Sequence, residues 1–157
     1  MPTPNNISEI VPVSVIMNIA KRIRTLAASI GQAKNVPRLD ARNIGIPEPK
    51  ITQHQIQINL TLSRLHSAYE WGSGIHDKNG AHFIDIYPVR AKALAFEGTH
   101  AYEGQTIVTQ HVSHPGVAAR PFLQPAKKQT RQQNLQDIRD AAHKNIRLIV
   151  VGMSRKV

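Results

Sequence analysis

The stretch His114-Pro115-Gly116-Val117-Ala118-Ala119-Arg120-Pro121-Phe122-Leu123-Gln124-Pro125-Ala126 limits the fold more than any other part of the chain. Proline fixes φ and has no amide hydrogen, so a strand cannot run through Pro115-Gly116. Pro121 and Pro125 suit a first helical turn, where an amide hydrogen has no partner to lose. The sequence before this stretch alternates like a strand, and the sequence after it repeats like a helix. It therefore reads as a strand-to-helix corner, with Phe122 and Leu123 as bulky apolar plugs at the sheet–helix junction.

Upstream, Ile56, Ile58, Leu60 and Leu62 alternate with Gln57, Asn59, Thr61 and Ser63. Alternation of this kind predicts a half-buried strand of an antiparallel sheet. Asp77-Lys78-Asn79-Gly80 carries the Asn-Gly hairpin signal. A second strand is expected over Phe83, Ile84, Ile86 and Tyr87, stopped by Pro88. A third spans Ala91 to Phe96. The loop from Glu97 to Gln105 leads to a fourth, Thr106 to Val112.

Helices are expected at both ends. Ile16, Ile19, Ile23, Leu26 and Ile30 recur every three or four residues, which predicts a helix over about 11–33 that ends near Gly31. Leu135, Ile138, Ala142 and Ile146 mark a terminal helix from about Pro121 or Pro125 to Asn145. The fold class is thus α+β: a roughly four-stranded antiparallel sheet packed by an N-terminal and a C-terminal helix. Residues 1–10 read as an arm and 11–146 as one domain. Within that domain 34–50 is a long loop, because Pro37, Gly45, Pro47 and Pro49 break any period. Residues 147–157 read as a final strand or tail, since Leu148-Ile149-Val150-Val151 is rich in β-branched residues.

Charge is uneven. The formal net charge is +10, carried by 20 Lys/Arg against 10 Asp/Glu. Residues 51–126 are balanced, so the excess lies on the two helical ends. Lys127, Lys128, Arg131, Arg139 and Lys144 make the terminal helix a candidate contact face for polyanions or acidic protein surfaces. Aromatic residues make up 4% of the chain, too few for a base-stacking platform. No helix-turn-helix cue or zinc spacing points to sequence-specific recognition.

Several chemistries lack their residues. The chain has no cysteine, which excludes disulfides and thiolate metal sites. His54, His66, His76, His82, His100, His111, His114 and His143 show no helical metal-ligand spacing, and His111 and His114 would sit on opposite faces of a strand. Asp77 or Asp85 with a nearby histidine could form an acid–base pair, but no spacing favours this over surface polar residues. Gly72-Ser73-Gly74 lacks the ending of a phosphate loop. No Gly-x-Ser-x-Gly elbow is present. The apolar run Ile10 to Ala20 is too short for a membrane span or signal segment and contains Pro12 and Asn18. The reading is a non-enzyme without cofactor, metal or membrane.

Four strings, in order, are similar to one family: Tyr69-Glu70-Trp71-Gly72-Ser73-Gly74; Ala91-Lys92-Ala93-Leu94-Ala95-Phe96; His114-Pro115-Gly116; and Arg120-Pro121-Phe122-Leu123-Gln124-Pro125-Ala126. Over roughly residues 68–126 the chain resembles the neck or tail-completion proteins of long-tailed bacteriophages, also described as minor tail or virion-morphogenesis proteins. The resemblance implies a small α+β domain that assembles into a ring at the head–tail junction, commonly of six copies. The partners implied are further copies of the chain and adjacent neck, connector or tail-terminator proteins. Genomic DNA would pass the lumen without sequence-specific binding. It places the protein in the virion, after assembly in the host cytoplasm, and supplies no catalytic residue. A tail-terminator ring is the nearest alternative. A small basic nucleic-acid-binding module is the alternative of another class. In the ring reading His114, Pro115, Gly116, Arg120, Pro121, Phe122, Leu123 and Pro125 form a structural corner that can also serve as a subunit interface.

Overall fold

A computed structural model of the chain describes residues 7–77, 80, 82–98 and 102–154. The chain is α+β and packs as two compact units. One holds the chain up to Ser67 and from Arg120 onward; the other is Ala68–Ala119. The sequence pattern predicted a single domain over 11–146. The four expected strands do not share one sheet. Among the described residues, strands pair only in twos, in four antiparallel ladders.

The helical unit is built on α2 (Val13–Ala33) and α4 (Leu123–Ser154), with a single helical turn, α1 (Ile7–Ile10), in front. Three contacts fix the direction of packing. Ile10 O accepts from Asn145 Nδ2 at 3.1 Å, Arg22 reaches Asp137 and Asn134, and Gly31 meets Phe122. Their order reverses between the two segments, so α2 and α4 are antiparallel.

The buried face of α2 is not its isoleucine stripe. Ala20, Ala27, Ala28 and Gly31 are buried, while Ile16, Ile19, Ile23, Leu26 and Ile30 are only half-buried. Small residues let the helix axes approach closely, and larger side chains are left on the flanks. A Cβ at Gly31 would run into Leu39 Cδ2 and come within 3.4 Å of Phe122 Cγ. The end of α2 is a Schellman motif: Val36 N–H donates to Gly31 O at 2.9 Å and Asn35 N–H to Gln32 O at 2.9 Å. Asn35 takes the left-handed position at φ 54°. This motif ends the helix at Ala33, where the expected span of 11–33 put it, and turns Val36 and Leu39 into the core.

The face that α4 turns inward is largely polar. Phe122, Leu123 and Ala126 are buried at its start, and Thr130 and Asn134 follow one and two turns later. Arg22 donates to Asp137 Oδ2 at 2.8 Å and Asn134 Oδ1 at 3.0 Å. Asn134 Nδ2 donates to Thr130 Oγ1 at 3.0 Å, and Thr130 Oγ1 to Ala126 O at 2.9 Å. Each inward polar group thereby gains a partner, as burial requires. The stripe expected to face the core is turned outward instead. Leu135 and Ile146 are 43% and 46% exposed. Nor does a strand or tail begin at 147, since α4 continues to Ser154. Once a helix is running, each further residue adds a hydrogen bond, and β-branched residues lower helix propensity only modestly.

The segment expected as a loop over 34–50 is irregular up to Asn43 and enters a β-ribbon from Ile44. After a 3-10 turn (Ala41–Asn43), capped by Asp40 and Asn43, β1 (Ile44–Gly45) pairs with β4 (Thr61–Leu62). Beyond it β2 (Lys50–Ile51) pairs with β3 (Ile56–Gln57). Between the ladders, residues 46–49 face residues 58–60, one more on the first strand than on the second. Pro47 and Pro49 lie in that gap and have no amide hydrogen to donate. The alternation read from the sequence holds throughout: Ile56, Ile58, Leu60 and Leu62 are half-buried and the residues between them exposed. Residues 7–10, expected as part of a loose arm, are held by the chain itself. Ile7 N–H donates to Gln53 O at 3.1 Å, and α1 packs on α4.

Phe122 is 0% exposed and is the largest buried apolar side chain of the described residues. It lies against Gly31 of α2, so the plug sits between helices and not at a sheet–helix junction. Replacing it by Ala removes a ring that the fixed spacing of two helices cannot fill. Phe122→Ala is expected to cost about 3 kcal/mol, read as a lower urea midpoint at unchanged slope; an unaltered midpoint would remove Phe122 from this account.

Candidate functional site

The ribbon unit, Ala68–Ala119, takes in the second half of α3 (Arg64–Trp71). It contains β5 (Ile84–Ile86) paired with β8 (Val112–His114) and β6 (Leu94–Glu97) paired with β7 (Thr106–Thr109). The Asn-Gly turn expected at 77–80 falls partly outside the described residues. The register places Ile84, Ile86, Val112 and His114 on one face of the first ladder. Leu94, Phe96 and Ile107 share a face of the second.

Two of the strings singled out in the sequence are packed into one junction here. Ser73 N–H donates to Val117 O at 3.0 Å, and Val117 N–H to Ser73 Oγ at 3.0 Å. Ile75 N–H donates to Pro115 O at 2.8 Å, and Gly116 N–H to His114 Nδ1 at 2.9 Å. A Cβ on Gly116 would strike the Ser73 carbonyl, and one on Gly74 the Pro115 carbonyl. Gly116 also sits at φ +91°, a conformation L side chains rarely adopt. The backbone therefore closes here only because neither residue has a side chain.

The second half of the corner belongs to the helical unit. Arg120 NH1 donates to Asn35 O at 2.9 Å and Lys34 O at 3.4 Å, capping the carbonyl end of α2 where a cation is favoured. Lys34 Nζ returns a bond to Pro121 O at 2.7 Å. Phe122 precedes α4 and its carbonyl accepts from Ala126 N–H at 3.3 Å. Pro125 occupies the third helical position, where no amide hydrogen is needed. Leu123 is buried beside Phe122, and Arg120 is exposed.

Lys127, Lys128, Arg131, Arg139 and Lys144 are all exposed on α4. At 100° per residue the first four occupy about a third of the circumference, whereas Lys144 falls in the sector of Ala126 and Asp137, farther along the helix, where it is exposed. Leu135, Ile138, Ala142 and Ile146 fall in the sector of the first four, so the outward face is mixed basic and apolar. The inward Thr130, Asn134 and Asp137 escaped the sequence reading. Their spacing of four and three was visible, but their partner Arg22 lies over a hundred residues away.

Two histidine arrangements are well defined. His66 is buried. Its Nε2–H donates to Pro37 O at 3.3 Å, so Nδ1 accepts the Ser63 hydroxyl at 2.9 Å. The Ser63 Oγ also accepts His66 N–H at 3.3 Å. That geometry caps the start of α3. In the ribbon unit His111 Nε2 lies 2.9 Å from Asp85 Oδ1, and Tyr87 stacks on the imidazole at 4.8 Å. Hydrogen bonds from His111, chiefly, and Ser113 hold the Asp85 carboxyl below the usual range. Among the described residues no group of three His, Asp or Glu side chains is placed to hold a metal ion. No described helix is long and apolar enough to cross a membrane.

No protein-family model, curated protein or solved structure matches this chain.

Two expectations follow. Gly116→Ala meets an unfavourable φ and a backbone carbonyl together, so a loss of at least about 2 kcal/mol is expected. Hydrogen exchange should show it as lost protection at Ser73, Ile75 and Val117, and full protection in the variant would refute the junction. Asp85, with its folded pKa depressed, stabilises the ribbon unit above the unfolded carboxyl pKa of about 3.9. That contribution disappears as pH falls through the lower folded value. Carboxyl carbon NMR should show Asp85 titrating below the ordinary range, and His111→Ala should move it back up.

Proposed function

We propose that this chain is a structural virion protein of a tailed bacteriophage, forming a ring in the neck at the head–tail junction, where it completes the tail or joins it to the head. The observation that carries the reading is the state of the ribbon unit. Apart from glycines, Glu70 is the one buried residue among its described residues. Trp71, Phe83, Tyr87, Val89, Phe96, Tyr102 and Val108 are exposed. Two-stranded ladders without an apolar core are marginal in water and gain stability by packing on something else. A chain whose work is to bind other chains carries such surfaces by design.

The resemblance supports the same reading. The strings around residues 69–74 and 114–116 hold each other in place, and Arg120 to Ala126 seats the terminal helix. They are the residues a shared fold needs. Copies joined head to tail close into a ring when the rotation divides a full turn. The exposed bases of α4 supply the electrostatic face for an acidic ring above or below, with DNA passing the lumen without sequence-specific contacts. A ring of this kind resides in the virion neck or tail after assembly in the host cytoplasm. A tail-terminator ring is built on the same features.

The basic face of α4 favours a second reading, a small nucleic-acid-binding module. The two part on assembly. Electron microscopy of virions carrying a tagged chain is expected to show several copies around the axis at the head–tail junction. A chain that stays single at its site, and binds DNA as a monomer with a steep loss of affinity in log salt, would replace the ring by the binding module.

A further inference from the structure

Two apolar depressions are open among the described residues. The first is on the ribbon unit, a depression of about 330 Å³ lined by Ile86, Leu94, Ala95, Phe96, Val112 and His114. The second is on the helical unit, a groove of about 170 Å³ where Ile16, Ile19 and Ile23 of α2 meet Ile58 and Leu60, with Lys127 at its edge. The groove arises because α2 spends its small residues on α4 and leaves its isoleucines outside.

We propose that the apolar ribbon face of one copy packs into the α2 groove of a second copy, with Leu94 and Phe96 set among Ile16, Ile19 and Ile23. The inference rests on the ring reading above and adds which faces meet. Charge selects this pairing over the symmetric ones. Ala68–Ala119 carries three Lys/Arg and five Asp/Glu, net −2, whereas the rest of the chain carries seventeen and five, net +12. Groove against groove would bring two strongly basic bodies together, which is costly. Ribbon against ribbon would oppose two acidic units and leave both grooves open. Ribbon into groove joins opposite signs, the acidic ribbon unit meeting the Lys127 rim of the groove. Each copy then gives one face and receives on the other, the arrangement that closes rings.

The absence of native cysteine makes the contact directly testable. Ile19→Cys and Phe96→Cys are made in separate full-length chains, neither at a buried position. Each is first shown to keep the parent circular dichroism spectrum, with Ile23→Cys as the substitute groove position. Mixed under mild oxidation, they are expected to form a disulfide-linked pair several-fold above either chain alone. Val108→Cys lies on the opposite ribbon face and should not link to Ile19→Cys. In one chain, the two cysteines should give a ladder of linked multimers. A dominant Phe96→Cys homodimer, an equal yield with Val108→Cys, or closure within a single chain would each overturn the proposal. Unlinked chains that still form rings in virions would refute this contact and leave the ring reading standing. Chains that link without forming rings would do the reverse.

Discussion

The close approach of α2 and α4 is the constraint on which the helical unit depends. Ala27 of α2 and Phe122 and Ala126 at the start of α4 are 0% exposed, and a Cβ at Gly31 would touch Phe122 and run into Leu39. The Schellman turn after α2 delivers Val36 and Leu39 to the same core, and Arg120 ties the start of α4 to the end of α2. The Arg22–Asn134–Thr130 chain then sets the register of the helices along their length. A polar chain of this kind adds little net stability, but a slipped register would leave its buried members unsatisfied.

The ribbon unit is organised by backbone and not by side chains. Gly74 and Gly116 permit two main-chain segments to touch, and hydrogen bonds between residues 73–75 and 115–117 close the base of the unit. Its large side chains are thereby freed from core duty. Among the described residues neither ladder pairs with a third strand, so their edges are open to a neighbour.

Some of this was legible in the sequence and some was not. The inward and outward faces of residues 56–62 follow from plain alternation, and the burial of Phe122 follows from its place between prolines. The exposure of Lys127, Lys128 and Arg131 follows from their charge. The faces of the helices did not follow. A periodicity of large apolar residues picks out Ile16 to Ile30 and Leu135 to Ile146, yet the buried contact belongs to alanines, a glycine and hydrogen-bonded polar groups, which carry little weight in a hydrophobic pattern. The strand partners also failed to follow. Pro47 and Pro49 disqualify 34–50 as a regular strand, but the ladder simply skips them and resumes at Lys50. The corner was read at the right residues and assigned to the wrong junction, because the sheet it was expected to meet is divided into pairs.

Those two prolines have a further effect. A ribbon with free margins invites other chains to extend it, and pairing of that kind can run on into fibrils. With amide hydrogens missing at 47 and 49 and the spacing offset by a residue, the margin of residues 44–51 offers no continuous template. Growth by backbone pairing is blocked there, and association is left to side-chain surfaces that can fit only a shaped counterpart.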